Sequence, residues 1–288
     1  MSKAIIVGYD GSEGSTAALT WAAGAASQRG RTLDVLTTWS MPAADLGIGA
    51  SATLQQDLVD ELRKEAQATN DEALEIAAKH GVNATGTIVV GRPASALVNL
   101  SEDAEMVVVG SHGSGGLTGY LLGSVSRQVA THAACPSVVV RPVTGASHDI
   151  VVGVDGSPHS IKALGWAFEQ ASFSGCSLHV LHSWEIPPTW SMVEVPSYEP
   201  EVLIRDYGNA ELRETSEAMA GFRENFPDVK VRQEVMKGSP VKALIKASEN
   251  AQLLVVGSRG LGGFRGLLLG SVSHAVVHKA ACPVAVVP

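Results

Sequence analysis

The sequence predicts an α/β protein built as two tandem doubly wound domains, each a five-stranded parallel sheet with helices on both faces (Rossmann-like). Three observations predict it. The chain repeats itself: AIIVGYDGS at 4–12 returns as DIVVGVDGS at 149–157, an offset of 145 residues that also relates Trp21 to Trp166 and Trp39 to Trp184. VVVGSHG at 107–113 returns as LVVGSRG at 254–260, and ACPSVVVRP at 134–142 returns as ACPVAVVP at 281–288, now at an offset of 147. Within each copy, short β-branched apolar runs alternate with longer amphipathic stretches, the pattern of parallel strands joined by right-handed helical crossovers. The apolar runs lack strict alternation, as expected of strands covered on both faces. The copies span about 1–143 and 149–288, joined by a short polar linker at 144–148.

In chain order, Ile5 to Gly8 reads as a buried strand. Ser12, or Ser157 in the second copy, caps the next helix, with Pro158 at a favoured first-turn position. That helix ends near Gly30 or Gly175. Strand two is Leu33 to Thr38, or Leu178 to Ser183. A variable loop follows, rich in Ala and Gly at 41–52 and in Pro at 186–200. A long helix covers about 53–80, or 201–225. Strand three runs to Gly91 or Gly238, and Arg92-Pro93 or Ser239-Pro240 opens helix three. Strand four is Met106 to Val109, or Leu253 to Val256. A glycine-rich loop, a fourth helix and a fifth strand close each copy.

Composition narrows the function classes. Hydrophobic residues make up 45% of the 288 and charged residues 17%, enough for a sizeable core and too few charges for a disordered chain. The net charge of -8 disfavours a nucleic-acid binder, whose footprint is a basic face. No apolar run approaches the roughly 18 residues of a membrane span, and the start lacks the basic residues and apolar core of a signal peptide. A soluble, cytoplasmic protein is expected. Cys135 and Cys282 occupy equivalent places and read as small core residues rather than a disulfide, and Cys176 has no counterpart.

In open α/β sheets ligands bind beyond the carboxyl ends of the strands at the switch point, here the ends of strands one and four. Both glycine loops lie there. The first is Gly110-Ser111-His112-Gly113, nine residues, then Gly123-Ser124-Val125-Ser126; the second is Gly257-Ser258-Arg259-Gly260, nine residues, then Gly270-Ser271-Val272-Ser273. Glycines permit positive φ and close approach of backbone amides to an anion. Gly123-Ser124 opens a helix whose first amides lack partners and carry partial positive charge. The hydroxyls of Ser124 and Ser126 are expected to add donors. The same glycines could instead serve only tight turns, but both copies keep the spacing between a strand and a helix. Asp10 and Asp155, after strand one, can accept bonds from ribose hydroxyls, cap the following helix, or do both. The four repeated tryptophans read as packing residues and His112 as a solvent-facing loop residue. The Gly-x-x-x-x-Gly-Lys-Ser/Thr, Gly-x-Gly-x-x-Gly, Gly-x-Ser-x-Gly and His-Glu-x-x-His motifs are all missing from the sequence.

With Gly-x2-Gly-x9-Gly-Ser after strand four and an Asp after strand one in both halves, the chain resembles the universal stress protein family, and more narrowly its tandem ATP-binding members. The resemblance implies that Asp10 and Asp155 hold ribose, and that the backbones of Gly8 with Thr38, and of Gly153 with Ser183, border adenine. It implies that the two glycine loops wrap the phosphates, with Mg2+ riding on them. It also implies a homodimer. The function expected is a nucleotide-responsive stress or signalling regulator binding one ATP per domain and doing no catalysis. A slow ATPase or other ATP-using enzyme, and a ligand-free scaffold, are the alternatives. The largely apolar last strands, Val138 to Arg141 and Val284 to Val287, are expected to pair with each other about a pseudo-twofold. Gly123→Val and Gly270→Val are expected to abolish binding. The exchange of His112 for Arg259 is expected to make the two sites unequal, because arginine is charged throughout and histidine gains charge only as pH falls.

Overall fold

The apolar runs become the strands, and the capped amphipathic stretches become the helices between them. The computed structural model describes residues 3–41, 52–113, 122–143, 149–185, 200–262 and 268–288. The linker at 144–148, nearly all of the loops at 41–52 and 186–200, and the centres of both glycine loops lie outside the described residues. Two compact units divide the chain, Met1–Arg141 and Pro142–Pro288. The first runs β1 (Ile5–Gly8), α1 (Glu13–Arg29), β2 (Leu33–Trp39), α2 (Ala52–Lys79), β3 (Ala84–Val90), α3 (Pro93–Leu100), β4 (Met106–Gly110), α4 (Ser124–His132) and β5 (Ser137–Val140). The second runs β6 (Asp149–Val154), α5 (Pro158–Ser174), β7 (Ser177–Trp184), α6 (Pro200–Asn225), β8 (Val231–Lys237), α7 (Pro240–Ser248), β9 (Leu253–Gly257), α8 (Ser271–Lys279) and β10 (Val284–Val287).

In the first unit the strand order is β3-β2-β1-β4-β5 and every pairing within it is parallel. The second unit repeats the order as β8-β7-β6-β9-β10, again parallel. Helices α1 and α2 cover one face of the first sheet, and α3 and α4 the other. The order reverses between β1 and β4, and between β6 and β9. A crevice therefore opens at the carboxyl ends of those strands.

The helix ends follow local chemistry. Ser12 caps α1 by accepting from the Ser15 amide, and Gly30 ends it at φ 60, a left-handed conformation that suits glycine. Ser157 and Gly175 do the same for α5. Pro93 and Pro240 open α3 and α7 at positions where the missing amide costs no helical hydrogen bond. The strands fill both faces, one with Ile5, Val7, Leu33 and Met106 and the other with Ile6 and Val107, all buried. Each contributes about 1.5–3 kcal/mol relative to exposure.

The two units lock their long helices differently. In the first, buried Asn70 of α2 donates to Val35 O at 3.2 Å and Thr37 Oγ1 at 3.1 Å on β2. In the second, Phe168 of α5 stacks on Phe222 and Phe226, with centroids 5.6 and 5.9 Å apart. Below β4, Glu105 bonds Arg29 at 2.8 Å and also pairs with Arg31. The equivalent place below β9 is neutral, with Gln252 Nε2 donating to Cys176 Sγ at 2.8 Å. All three cysteines are buried thiols outside any disulfide, and burial pushes the Cys135 thiol up to about 11.

Candidate functional site

Each crevice is a cavity. The first, about 460 Å³, lies between the ends of β1, β2 and β4 and the start of α4. The second, about 830 Å³, lies at the matching ends of β6, β7 and β9 and the start of α8, and extends to Glu211 and Glu214 of α6. Both volumes fall in the roughly 300–1,000 Å³ range of small-molecule sites.

Glycine shapes these cavities through close approach. A Cβ on Gly110 would lie 2.5 Å from the Gly14 carbonyl, and one on Gly257 would lie 2.7 Å from the His159 carbonyl carbon. The strand ends thus abut the N-termini of α1 and α5. A Cβ on Gly113 would lie 2.6 Å from Asp10 Oδ2, and one on Gly260 would overlap Asp155 Oδ2. Gly8 and Gly153 admit Leu97 and Leu244, whose side-chain carbons would stand 3.1 Å from a Cβ there. The expected positive φ is not found at these motif glycines. Gly123 has φ -64 and Gly270 has φ -71, and positive φ falls instead in the turns at Gly11 and Gly156, at Gly91 and Gly238, and at the helix ends. Gly110, Gly113, Gly257 and Gly260 are required because other atoms occupy the space of a side chain.

The aspartates hold the loops together. Asp10 Oδ1 accepts from the Ser12 amide at 3.1 Å and the Ser12 hydroxyl at 2.6 Å, bracing the residue that caps α1. Asp155 Oδ1 accepts from the Ser157 amide at 3.0 Å, and its Oδ2 from the Leu261 amide at 3.0 Å in the glycine loop. Burial raises the Asp155 carboxyl, but the bonds from Ser157, Leu261 and Ser160 outweigh it and hold the group below the usual carboxylate range. Both are therefore helix braces and cavity-lining carboxylates.

Gly123 and Gly270 stand at the N-caps of α4 and α8, where no side chain caps the helix. The amides of Ser124, Val125 and Ser126, and of Ser271, Val272 and Ser273, fall in first turns that provide no intrahelical acceptor. The loops close back on themselves, the Gly123 amide on Ser111 O at 2.8 Å and the Gly270 amide on Ser258 O at 2.7 Å.

Of the residues named from sequence, Gly8, Asp10, Thr38, Gly110, His112, Gly113 and the segment 123–126 line the first cavity. Gly153, Asp155, Ser183, Gly257, Arg259, Gly260 and the segment 270–273 line the second. Five side chains behave otherwise than expected. Ser111 and Ser258 do not line the cavities: both are buried, and their amides extend the strand ladders to Val140 O and Val287 O. Ser126 and Ser273 turn their hydroxyls inward, to Gly110 O at 2.7 Å and Gly257 O at 2.6 Å, so each one's single donor is engaged within the protein. His112 is half-buried rather than solvent-facing, with Nδ1 3.0 Å from Ser111 Oγ. Trp166 is buried, as read from sequence, while Trp39 and Trp184 also line the cavities.

Sequence reasoning missed the apolar walls, Leu36, Leu97 and Val109 in the first cavity and Leu181, Leu244 and Val256 in the second. Their positions at strand ends and on the helix after each Arg-Pro or Ser-Pro pair were the available signal. It also missed His182, whose Nδ1 lies 2.7 Å from Val154 O and whose Nε2 lies 2.8 Å from Glu211 Oε2. Nothing local announces that pair, because β7 and α6 meet only in the folded chain.

Fold and cavities together define a tandem doubly wound protein with one glycine-lined cradle at each switch point. The sequence model of the universal stress protein family matches residues 1–141 and again 147–288. A universal stress protein of Mycobacterium tuberculosis is 36% identical, covering 98% of this chain and 96% of that protein, and one of Mycolicibacterium smegmatis matches to the same extent. A crystal structure of a universal stress protein from Archaeoglobus fulgidus has a TM-score of 0.73 at 23% identity, covering 99% of this chain and 97% of that one, a likeness of fold. The chain belongs to the universal stress protein family and has its tandem, two-domain form. Among the described residues no helix is long and apolar enough to cross a membrane.

Proposed function

We propose that each unit binds one ATP and that the chain acts as a nucleotide-responsive cytoplasmic regulator rather than a catalyst. One observation supports this most directly. In both units an uncapped helix N-terminus, a glycine whose side-chain space is already filled, and a carboxylate converge on one cavity with an apolar wall. The free amides and the helix dipole suit phosphates. The carboxylate suits ribose hydroxyls, and the leucines and valines between Gly8 and Thr38, or Gly153 and Ser183, suit a base. Among the described residues no cluster of three His, Cys, Asp or Glu side chains is placed to hold a metal. Magnesium would therefore arrive on the phosphates, neutralising charge there. Asp10 and Asp155 are occupied by loop amides and hydroxyls, which argues for holding a nucleotide over activating water for its hydrolysis.

Calorimetric titration of purified, nucleotide-stripped protein with Mg-ATP tests the proposal. Two ATP per chain are expected, and ATP or its remnant is expected by mass spectrometry in protein that has not been stripped. Absence of binding, or one ATP only, overturns it. A turnover assay tests the lack of catalysis. Assembly of two chains is part of the same proposal, and light scattering tests it.

A further inference from the structure

The two cradles are alike in backbone and unlike in charge. In the second, the Arg259 guanidinium stands 2.9 Å from His159 Nε2. Arginine can only donate, so Nε2 carries the lone pair and His159 is neutral, with its proton on Nδ1. His159 lies in the first turn of α5, and its backbone carbonyl is the group that abuts Gly257 of the glycine loop. The charged groups facing it are Arg259 on the loop, Lys162 one turn along α5, and Asp155 at the end of β6. Burial, then Arg259 and Lys162, hold the imidazole below the ordinary histidine range, and Asp155 opposes them.

The first cradle lacks this arrangement. By the repeat, Gly14 stands where His159 does, Ala17 where Lys162 does, and His112 where Arg259 does. A Cβ on Gly14 would overlap the His112 carbonyl, so no side chain can stand there, and His112 turns to Ser111 instead. The first cradle is lined by one imidazole; the second is lined by an arginine that stands against a neutral imidazole at the edge of the cavity, with Lys162, which donates to Pro288 O at 3.3 Å, one turn further along α5.

We propose that His159 and Arg259 form a paired clamp that makes the second cavity select the terminal phosphates of a nucleoside triphosphate over a diphosphate, taking up a proton as it binds. The proposal rests on reading these cradles as phosphate sites. A terminal phosphate is a better acceptor for Arg259 than a neutral imidazole, because a charge-assisted, forked bond is stronger than a neutral one. As Arg259 turns to the phosphate, Nε2 loses its donor. The added negative charge offsets the repulsion from Arg259 and Lys162, and a solvent proton moves onto Nε2. Nδ1–H and Nε2–H are then both donors, and the imidazolium adds a second positive charge. A ligand lacking the outermost phosphate leaves Arg259 on His159 and gains neither contact.

The test uses the full chain with Asp10→Ala to weaken the first site, titrated with Mg-ATP and Mg-ADP at pH 6 and pH 7.5, in buffers of high and low ionisation enthalpy. ATP is expected to bind about fivefold tighter at pH 6 than at pH 7.5, the scale of one exposed charge contact. Proton uptake is expected with ATP and not with ADP. Adding His159→Gln, which keeps a hydrogen-bonding group but cannot titrate, is expected to remove both the pH dependence and the proton uptake. Adding Arg259→His is expected to bring the ATP-to-ADP preference down to that of the first site, measured in a chain carrying Asp155→Ala. ATP binding that is unchanged by His159→Gln, or that takes up no proton, overturns the clamp and leaves the nucleotide reading standing. Failure of either nucleotide to bind even the unsubstituted chain overturns both.

Discussion

Gly260 and Gly270 show why a glycine motif carries more than one constraint. At Gly260 a Cβ would overlap Asp155 Oδ2, whereas at Gly270 its nearest neighbours would be 3.4 Å away. Since φ is not positive at Gly270, a methyl group is tolerated there, and the objection to Gly270→Val is the bulk of its branch beside the helix amides. Gly260→Ala must instead push the Asp155 carboxylate off the Leu261 amide. We expect Gly260→Ala to weaken nucleotide binding at the second site about tenfold or more, the worth of one hydrogen bond to a charged group, and Gly270→Ala to change it little. Calorimetry on chains carrying Asp10→Ala checks the contrast, and equal losses would refute it. The glycine positions were legible from spacing. The inward turn of Ser126 and Ser273 was not, because their acceptors, Gly110 O and Gly257 O, lie 16 residues away in sequence and become neighbours only when strand and helix dock.

At the scale of elements, the long helices α2 and α6 face the same sheet position and are held by different chemistry. Asn70 fastens α2 through two hydrogen bonds, and a Cβ on Gly86 would overlap its side-chain oxygen, so the polar lock and the glycine on β3 belong together. Phe168 fastens α6 from α5, is fully buried, and packs on two rings. Phe168→Ala is expected to cost about 3–5 kcal/mol, by lost apolar burial and a cavity that two facing rings cannot close. Chemical denaturation followed by tryptophan fluorescence measures it, and a loss under about 1 kcal/mol would show that α6 is held elsewhere. The strands and helices themselves were legible from apolar runs, capping serines and X-Pro pairs. The fastening of α2 and α6 was not, since helical periodicity marks which face is buried and leaves its partner unnamed.

Across the whole molecule the repeat creates two units of one topology with different responses to acid. His179 of β7 is nearly buried, with Nε2 2.9 Å from Glu234 Oε2 and Nδ1 2.8 Å from an Arg232 nitrogen. Burial first, then Arg232, hold its imidazole below the ordinary histidine value of 6.5, against the pull of Glu234. The unfolded chain therefore binds this proton more readily than the folded one, and stability falls as pH drops below about 6.5. The corresponding residue in the first unit is Asp34, bonded by Thr87 Oγ1 at 2.9 Å, which contributes no such histidine. We expect the second unit to lose thermal stability between about pH 6.5 and 5.5 and His179→Gln to flatten that loss. Calorimetric melting with and without the substitution checks it; an identical pH profile would place the acid sensitivity elsewhere. Asp155 acts in the opposite range: its lowered carboxyl stabilises the fold above the unfolded value of 3.8, and that contribution is lost as pH falls through its folded value.

The sequence by itself determined the duplication, the order of strands and helices, the switch-point location of the two cavities and the glycines and aspartates that line them. These are properties of local propensity and periodicity, and both copies carry them. Tertiary structure alone decided which atoms those residues touch. It assigned Gly110, Gly113, Gly257 and Gly260 to close contacts rather than to positive φ, drew Ser111 and Ser258 into the sheet ladders, and brought Glu211 to His182 and His159 to Arg259. The physical reason is range. A backbone preference is set within a few residues, whereas a charge or hydrogen-bond partner some 30 to 100 positions away exists only after the crossovers have folded back on the sheet.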